Sequence, residues 1–158
     1  FSDYQCPFCE RFYTETLSLI DEQYIKTGKV KLIYMNYPLS FHEQAQGAAE
    51  AALCFEDVMG GEDSQYYRYH DKLFENQASL SEDNFKKWAV ELGANKAKFD
   101  SCFDSGKFAQ RVQDEMAYGS QIGVSGTPGF FVNGIMIEGA QPFNAFKQII
   151  DSEFAKTA

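Results

Sequence analysis

The stretch Phe1-Ser2-Asp3-Tyr4-Gln5-Cys6-Pro7-Phe8-Cys9-Glu10 decides how this chain is read. Pro7 suits the first position of a helix, because its fixed φ is helical and its missing N–H would have no partner there. An apolar stripe at i+4 spacing, Phe8, Phe12, Thr16 and Ile20, carries that helix over residues 7–24, and Gly28 stops it. Cys6 then falls on the N-cap, where a side-chain acceptor can take a backbone N–H from two or three residues on. A Cys6 thiolate would also sit at the positive end of the helix dipole, so its pKa is expected to fall. Cys9 lies inside the first turn and is better shielded. The pattern predicts one exposed nucleophile and one resolving thiol, close enough to bond each other. Asp3 and Glu10 are nearby negative charges that oppose the shift on Cys6.

Working outward, residues 30–37 (Val-Lys-Leu-Ile-Tyr-Met-Asn-Tyr) read as a strand, mostly apolar on both faces as a central strand would be, and Pro38 stops it. A long block with helical periodicity follows. Ala45, Ala48, Ala49 and Ala52 make a small-residue face, and Gly60-Gly61 breaks the pattern. Ser81 is a good N-cap for a helix carrying Phe85, Trp88, Ala89 and Leu92, with Gly93 as its stop. Phe99, Cys102 and Phe103 mark another helix, and Phe108, Val112 and Met116 one more. The period then changes. Phe130-Phe131-Val132 and Ile135-Met136-Ile137 flank Asn133-Gly134, the strongest two-residue hairpin signal. Pro142 opens a last helix with Phe143, Phe146, Ile149 and Ile150. The block before the hairpin far exceeds the dozen or so residues a crossover needs. The economical reading is an α/β sheet domain, residues 1–158, with a helical subdomain inserted over about residues 39–122.

Composition narrows the function. The 158 residues are 44% hydrophobic and 23% charged, ordinary for a globular chain. Fourteen Lys and Arg against 23 Asp and Glu give a net charge of −9, which disfavours binding to a phosphate backbone, so no nucleic-acid partner is expected. No apolar run reaches the roughly 20 residues that span a bilayer. The numbering carries no signal peptide, which is compatible with a leader removed in maturation. Four cysteines, Cys6, Cys9, Cys54 and Cys102, are too few and too unevenly spaced for a disulfide-stapled mini-protein. A zinc site would need a second Cys or His pair at ligand spacing, and His42 and His70 have no partner at such spacing, so no metal is expected. A purely structural Cys6–Cys9 bond would staple a very short loop for little stability.

Residues 1–9 resemble the active-site segment of the DsbA-like thiol-disulfide oxidoreductases of the thioredoxin superfamily. Gly123-Val124-Ser125-Gly126-Thr127-Pro128-Gly129-Phe130-Phe131-Val132-Asn133-Gly134 resembles that family's cis-proline loop and following hairpin, and Tyr69-His70-Asp71-Lys72-Leu73-Phe74 resembles a helix of its inserted subdomain. The resemblance implies a thioredoxin fold with a helical insertion and a cis Thr127–Pro128 bond lying against Cys6 and Cys9. The backbone of Thr127 would then pair with an extended substrate chain, with Pro128, Pro7 and Phe8 completing the binding surface. Position 8 is Phe where some family members carry His, so a less acidic Cys6 is expected than in those relatives. The segment Val58-Met59-Gly60-Gly61-Glu62-Asp63 is longer than the family's usual turn. For Cys54 and Cys102 two readings stand, buried free thiols or a structural disulfide across the helical block. Similar bridges in part of the family favour the second.

The implied function is disulfide exchange with protein substrates, as an oxidase for secreted proteins, with no cofactor. Partners would be unfolded or extended chains bearing thiols or disulfides, and a redox partner that resets Cys6 and Cys9. The family implies an extracytoplasmic site, the periplasm or cell envelope of a bacterium. Reduction or isomerisation uses the same steps, and direction follows from potential rather than motif. A non-catalytic, chaperone-like peptide-binding module is the alternative from another class. A glutathione-dependent transferase on the same fold is disfavoured by the second cysteine, Cys9.

Overall fold

A computed structural model describes residues 1–156, so the last two residues of the expected domain lie outside the described residues. Helix α1 (Pro7–Phe12) starts at Pro7 and runs on without a break through two π-helical stretches, Tyr13–Leu17 and Asp21–Ile25, with α2 (Ser18–Ile20) between them. Its buried face carries Cys9, Thr16, Ile20 and Tyr24. Phe8, expected on that stripe, is instead 54% exposed. Cys9, one residue on, takes the inward position in this first α-helical turn, ahead of the π stretch that starts at Tyr13. Gly28, at φ 73°, ends the helix in the left-handed region.

The strand expected over residues 30–37 is reduced to one parallel bridge, Ser2 with Asn36. Ser2 N–H donates to the Met35 carbonyl at 3.0 Å and Tyr37 N–H to the Ser2 carbonyl at 2.8 Å. A parallel ladder needs a partner alongside each residue, and the described chain lays only Ser2 there. The segment also alternates rather than burying both faces: Ile33 is 68% exposed while Asn36 is buried. On the other side, Phe1 and Gly129 exchange both main-chain bonds, 2.7 and 2.9 Å. The residues leading to Cys6 are thus stitched between residues 35–37 and the hairpin.

That hairpin is β1 (Gly129–Val132) and β2 (Ile135–Glu138), antiparallel with Gly129 opposite Glu138 and Val132 opposite Ile135. Asn133 (φ 48°) and Gly134 (φ 86°) make the two-residue turn, both at positive φ as this tight connection requires. Between α2 and the hairpin lie α3 (Ala45–Val58), α4 (Asp63–Glu75), α5 (Glu82–Glu91), α6 (Lys96–Asp104) and α7 (Ala109–Gln121). Helix α3 packs against each of the other four. Its buried Ala45, Ala48, Ala49, Ala51 and Ala52 allow that close approach. Ser81 caps α5 as its sequence indicates, accepting from the Asn84 N–H at 3.3 Å. Helix α8 (Phe143–Ala155) follows the hairpin. Two apolar clusters result. One joins the insertion to Tyr4, Cys6 and Cys9; the other joins Ile20, Tyr24, Ile137, Phe146 and Ile150. No helix among the described residues is long and apolar enough to cross a membrane.

Candidate active site

The site is built where the first cluster meets the loop before β1. Cys6 is the N-cap of α1, with extended φ −75° and ψ 123°. Its carbonyl accepts from the N–H groups of Cys9 and Glu10 in the first helical turn, both at 3.1 Å. Its sulfur closes no capping hydrogen bond of full geometry; in the protonated form it donates to the Thr127 carbonyl, 3.5 Å away. The Thr127–Pro128 peptide is cis, so two segments 121 residues apart in sequence meet at the Cys6 sulfur. Pro128 is fully buried.

Both cysteines of the pair are free thiols; Cys9, 1% exposed, is shielded as expected, whereas Cys6, expected to be open, is only 3% exposed. The fold closes over Cys6 because the cis-proline loop covers its sulfur, leaving Pro7 and Phe8 as the exposed rim. The two sulfurs titrate in opposite directions. The Cys6 thiol is pulled down to about 5, chiefly because the Cys9 thiol donates a hydrogen bond to it. Burial opposes that shift, while the Thr127 side chain and the backbone N–H groups of Cys9 and Phe8 assist it. Cys9 is pushed strongly up, first by burial and then because its proton is held against the Cys6 sulfur. Asp3 and Glu10 do not figure among the causes acting on Cys6. A thiol that ionises easily beside one that keeps its proton is the arrangement disulfide exchange needs, a ready nucleophile with a resolving partner in reach.

The Phe8 ring stands outside, with the Arg11 guanidinium 5.2 Å from its centre. Two residues hold the site: Asp3, which the sequence presented only as an opposing charge, and Gln77, which sequence reading passed over. The buried Asp3 accepts from the Gln5 N–H at 2.7 Å, the Leu39 N–H at 2.8 Å and His42 Nδ1 at 2.7 Å. An aspartate two residues before the N–H it accepts is the mark of an Asx turn, a signal the sequence does carry. Gln77, on the 3₁₀ turn Gln77–Ser79, donates to the Tyr4 carbonyl at 2.9 Å and the Cys6 carbonyl at 3.0 Å. Its separation of 71 residues from Cys6 leaves no local signal. The insertion also reaches the site through Tyr66, whose hydroxyl accepts from Tyr4 at 3.0 Å.

His42 and His70 are placed as packing or structural groups. His70 is buried in a ring of Tyr4, Tyr13, Tyr34, Tyr67 and Phe74, and burial lowers its pKa. Cys54 on α3 and Cys102 on α6 are joined in a disulfide with Cα atoms 5.8 Å apart, separate from the Cys6–Cys9 pair. Among the described residues no group of three or more His, Cys, Asp or Glu is arranged to hold a metal ion.

Comparison with known proteins places this geometry. Disulfide bond formation protein D of Bacillus subtilis (strain 168) is 26% identical over 163 residues, covering 97% of this chain and 70% of that protein. The crystal structure of oxidised BdbD from Bacillus subtilis superposes with a TM-score of 0.84 at 24% identity, covering 97% of this chain and 84% of that one. The crystal structure of Wolbachia pipientis alpha-DsbA1 gives 0.82 at 20% identity, covering 98% and 83%. The family model described as Thioredoxin matches residues 1–152. The chain belongs to the thioredoxin family, as a DsbA-like member with helices inserted into the fold.

Proposed function

We propose that this DsbA-like thiol-disulfide oxidoreductase works in the oxidising direction, passing a Cys6–Cys9 disulfide to extended or unfolded protein substrates that carry thiols. The observation that carries the reading is the asymmetry of the two sulfurs, Cys6 ionising near 5 and Cys9 held protonated. A reduced form whose Cys6 is a stable thiolate is favoured at neutral pH, so the oxidised form gives up its disulfide readily. In the first step a substrate thiolate attacks Cys6 Sγ. The Cys6–Cys9 bond breaks, and Cys9 leaves as a thiolate that takes up a proton. A second substrate thiolate then attacks the substrate sulfur of the mixed disulfide. Cys6 departs as its thiolate, and the substrate leaves with a new disulfide. A redox partner restores the Cys6–Cys9 bond by accepting two electrons.

Substrate would lie across the rim of the site. The Thr127 backbone, beside the cis Pro128, is available to pair with an extended chain. Pro7 and Phe8 stand exposed beside Cys6, and Phe41, 73% exposed and against the ring of His42, adds apolar surface. The helical insertion, taken as about residues 39–122, supports that surface, with the Cys54–Cys102 bond as its structural staple. A bridge of that kind persists in an oxidising compartment, which supports an extracytoplasmic site, the periplasm or envelope of a bacterium. The name of the Bacillus subtilis relative, a disulfide bond formation protein, supports the same reading.

The test pairs two assays on the same preparation. Oxidised protein should form disulfides in a reduced, unfolded protein faster than reduced protein opens those of insulin, and Cys6→Ala should abolish both. Faster insulin reduction would assign the opposite direction. Substrate binding without any exchange would leave a chaperone-like module.

A further inference from the structure

The Cys9 sulfur has few groups that can stabilise its anion. Burial and the neighbouring Cys6 sulfur oppose ionisation, while the Ser2 side chain and the Asp3 backbone N–H favour it. The Asp3 N–H points at Cys9 Sγ across 3.5 Å. That N–H is aimed by its own side chain. The Asp3 carboxylate, 1% exposed, is fixed by Gln5 N–H, Leu39 N–H and His42 Nδ1. A carboxylate accepts only, which places the ring proton on Nδ1 of His42. The Asp3 carbonyl in turn accepts from the Cys6 N–H at 3.1 Å. One residue thus touches the main chain of the first cysteine and the sulfur of the second.

We propose that Asp3 is the positioning residue of the resolving cysteine, its anchored carboxylate holding the backbone N–H that stabilises the Cys9 thiolate each time that sulfur attacks or leaves. The inference rests on the reading of Cys6 and Cys9 as the exchanging pair. In the resolving step the Cys9 proton goes to solvent and Cys9 Sγ attacks Cys6 Sγ of a mixed disulfide. The Cys6–Cys9 bond forms, the bond from Cys6 to the outside sulfur breaks, and the electron pair leaves on that outside sulfur. Asp3 takes no part in bond making. Without its carboxylate, the Leu39 and Gln5 N–H groups lose their partner and the turn that aims the Asp3 N–H is released.

Glutathione disulfide serves as the probe and the oxidant. Reduced protein mixed with it, acid-quenched over time and followed by mass, resolves two steps: glutathione joining Cys6, then glutathione released as Cys9 closes the intramolecular bond. In Asp3→Ala the mixed disulfide should accumulate. Its resolution should slow by about tenfold, the scale of one hydrogen bond to a charged group, and by far more than the first step. Asp3→Asn keeps one acceptor oxygen for the Gln5 N–H and should restore part of the rate; it also carries the test if Asp3→Ala does not fold. Resolution at the wild-type rate in both variants would overturn the proposal. So would equal slowing of both steps, the mark of a merely structural residue. Wild-type protein that forms no adduct at Cys6 would instead refute the underlying exchange reading.

Discussion

Removing the bond between α3 and α6 has a magnitude that follows from the chain itself. In the double variant Cys54→Ala/Cys102→Ala, the unfolded state is freed of a loop of 48 residues. The loop-entropy relation gives about 4 kcal/mol for that length. Cys54 is 0% and Cys102 7% exposed within the larger core cluster, so the lost sulfurs also leave unfilled space. For a chain of this size each kcal/mol moves Tm by about 2–4 °C, so the variant should melt about 10 °C below the wild type. The assay is scanning calorimetry with Cys6 and Cys9 kept reduced by mild reductant in both proteins. Exchange at Cys6 should proceed at nearly the wild-type rate below the melting range, because neither substituted residue bonds to the Cys6–Cys9 pair or to the Thr127–Pro128 loop. A melting point within about 2 °C of the wild type, or wild-type protein that maps with free thiols at 54 and 102, would refute the reasoning.

Thiolate absorbance of the reduced protein should titrate near pH 5, the value to which the Cys9 hydrogen bond draws Cys6. Because that value lies below the unfolded thiol's, about 8.5, the reduced form gains stability that is fully present above the unfolded value and is lost as pH falls through about 5; denaturant melts of reduced against oxidised protein should show it. Gly119→Ala should destabilise by about 1–3 kcal/mol in urea unfolding, since an added Cβ would meet the Phe1 ring at 2.8 Å and the Tyr37 ring at 3.0 Å. Gln77→Glu replaces a donor facing the Tyr4 and Cys6 carbonyls by an acceptor; it should cost about 1–3 kcal/mol by the same assay, with Gln77→Ala milder.

The sequence spoke most clearly where a local rule fixed the structure. Pro7 and the Cys-x-x-C spacing located the start of α1, Asn133-Gly134 the hairpin, Ser81 a cap, and the alanines of α3 a close-packing face. It misled where a tertiary effect decides. Residues 30–37 have strand composition, yet pairing rather than composition makes a ladder, and only Ser2 bridges there. The helical stripe placed Phe8 inward by its i+4 spacing from Phe12, whereas the first turn of the helix points Cys9 to the core and leaves Phe8 outside. The openness of Cys6 was misjudged for a similar reason. The covering loop comes from 121 residues away, beyond the reach of local reasoning, as is the Gln77 clamp. The Asp3 charge beside Cys6 in sequence turned out to be aimed elsewhere, into its own turn and toward His42.

The reduction potential of the Cys6–Cys9 pair, equilibrated against glutathione at pH 7 and read by thiol trapping, tests the central claim most directly. A Cys6 thiolate that ionises near 5 holds the reduced form two pH units below neutrality, which raises the potential of the couple by about 60 mV over one whose thiol titrates at 7. The account predicts a potential above roughly −200 mV, on the oxidising side of the cellular glutathione poise. A value at or below roughly −270 mV, the range of a thioredoxin reductant, would contradict it.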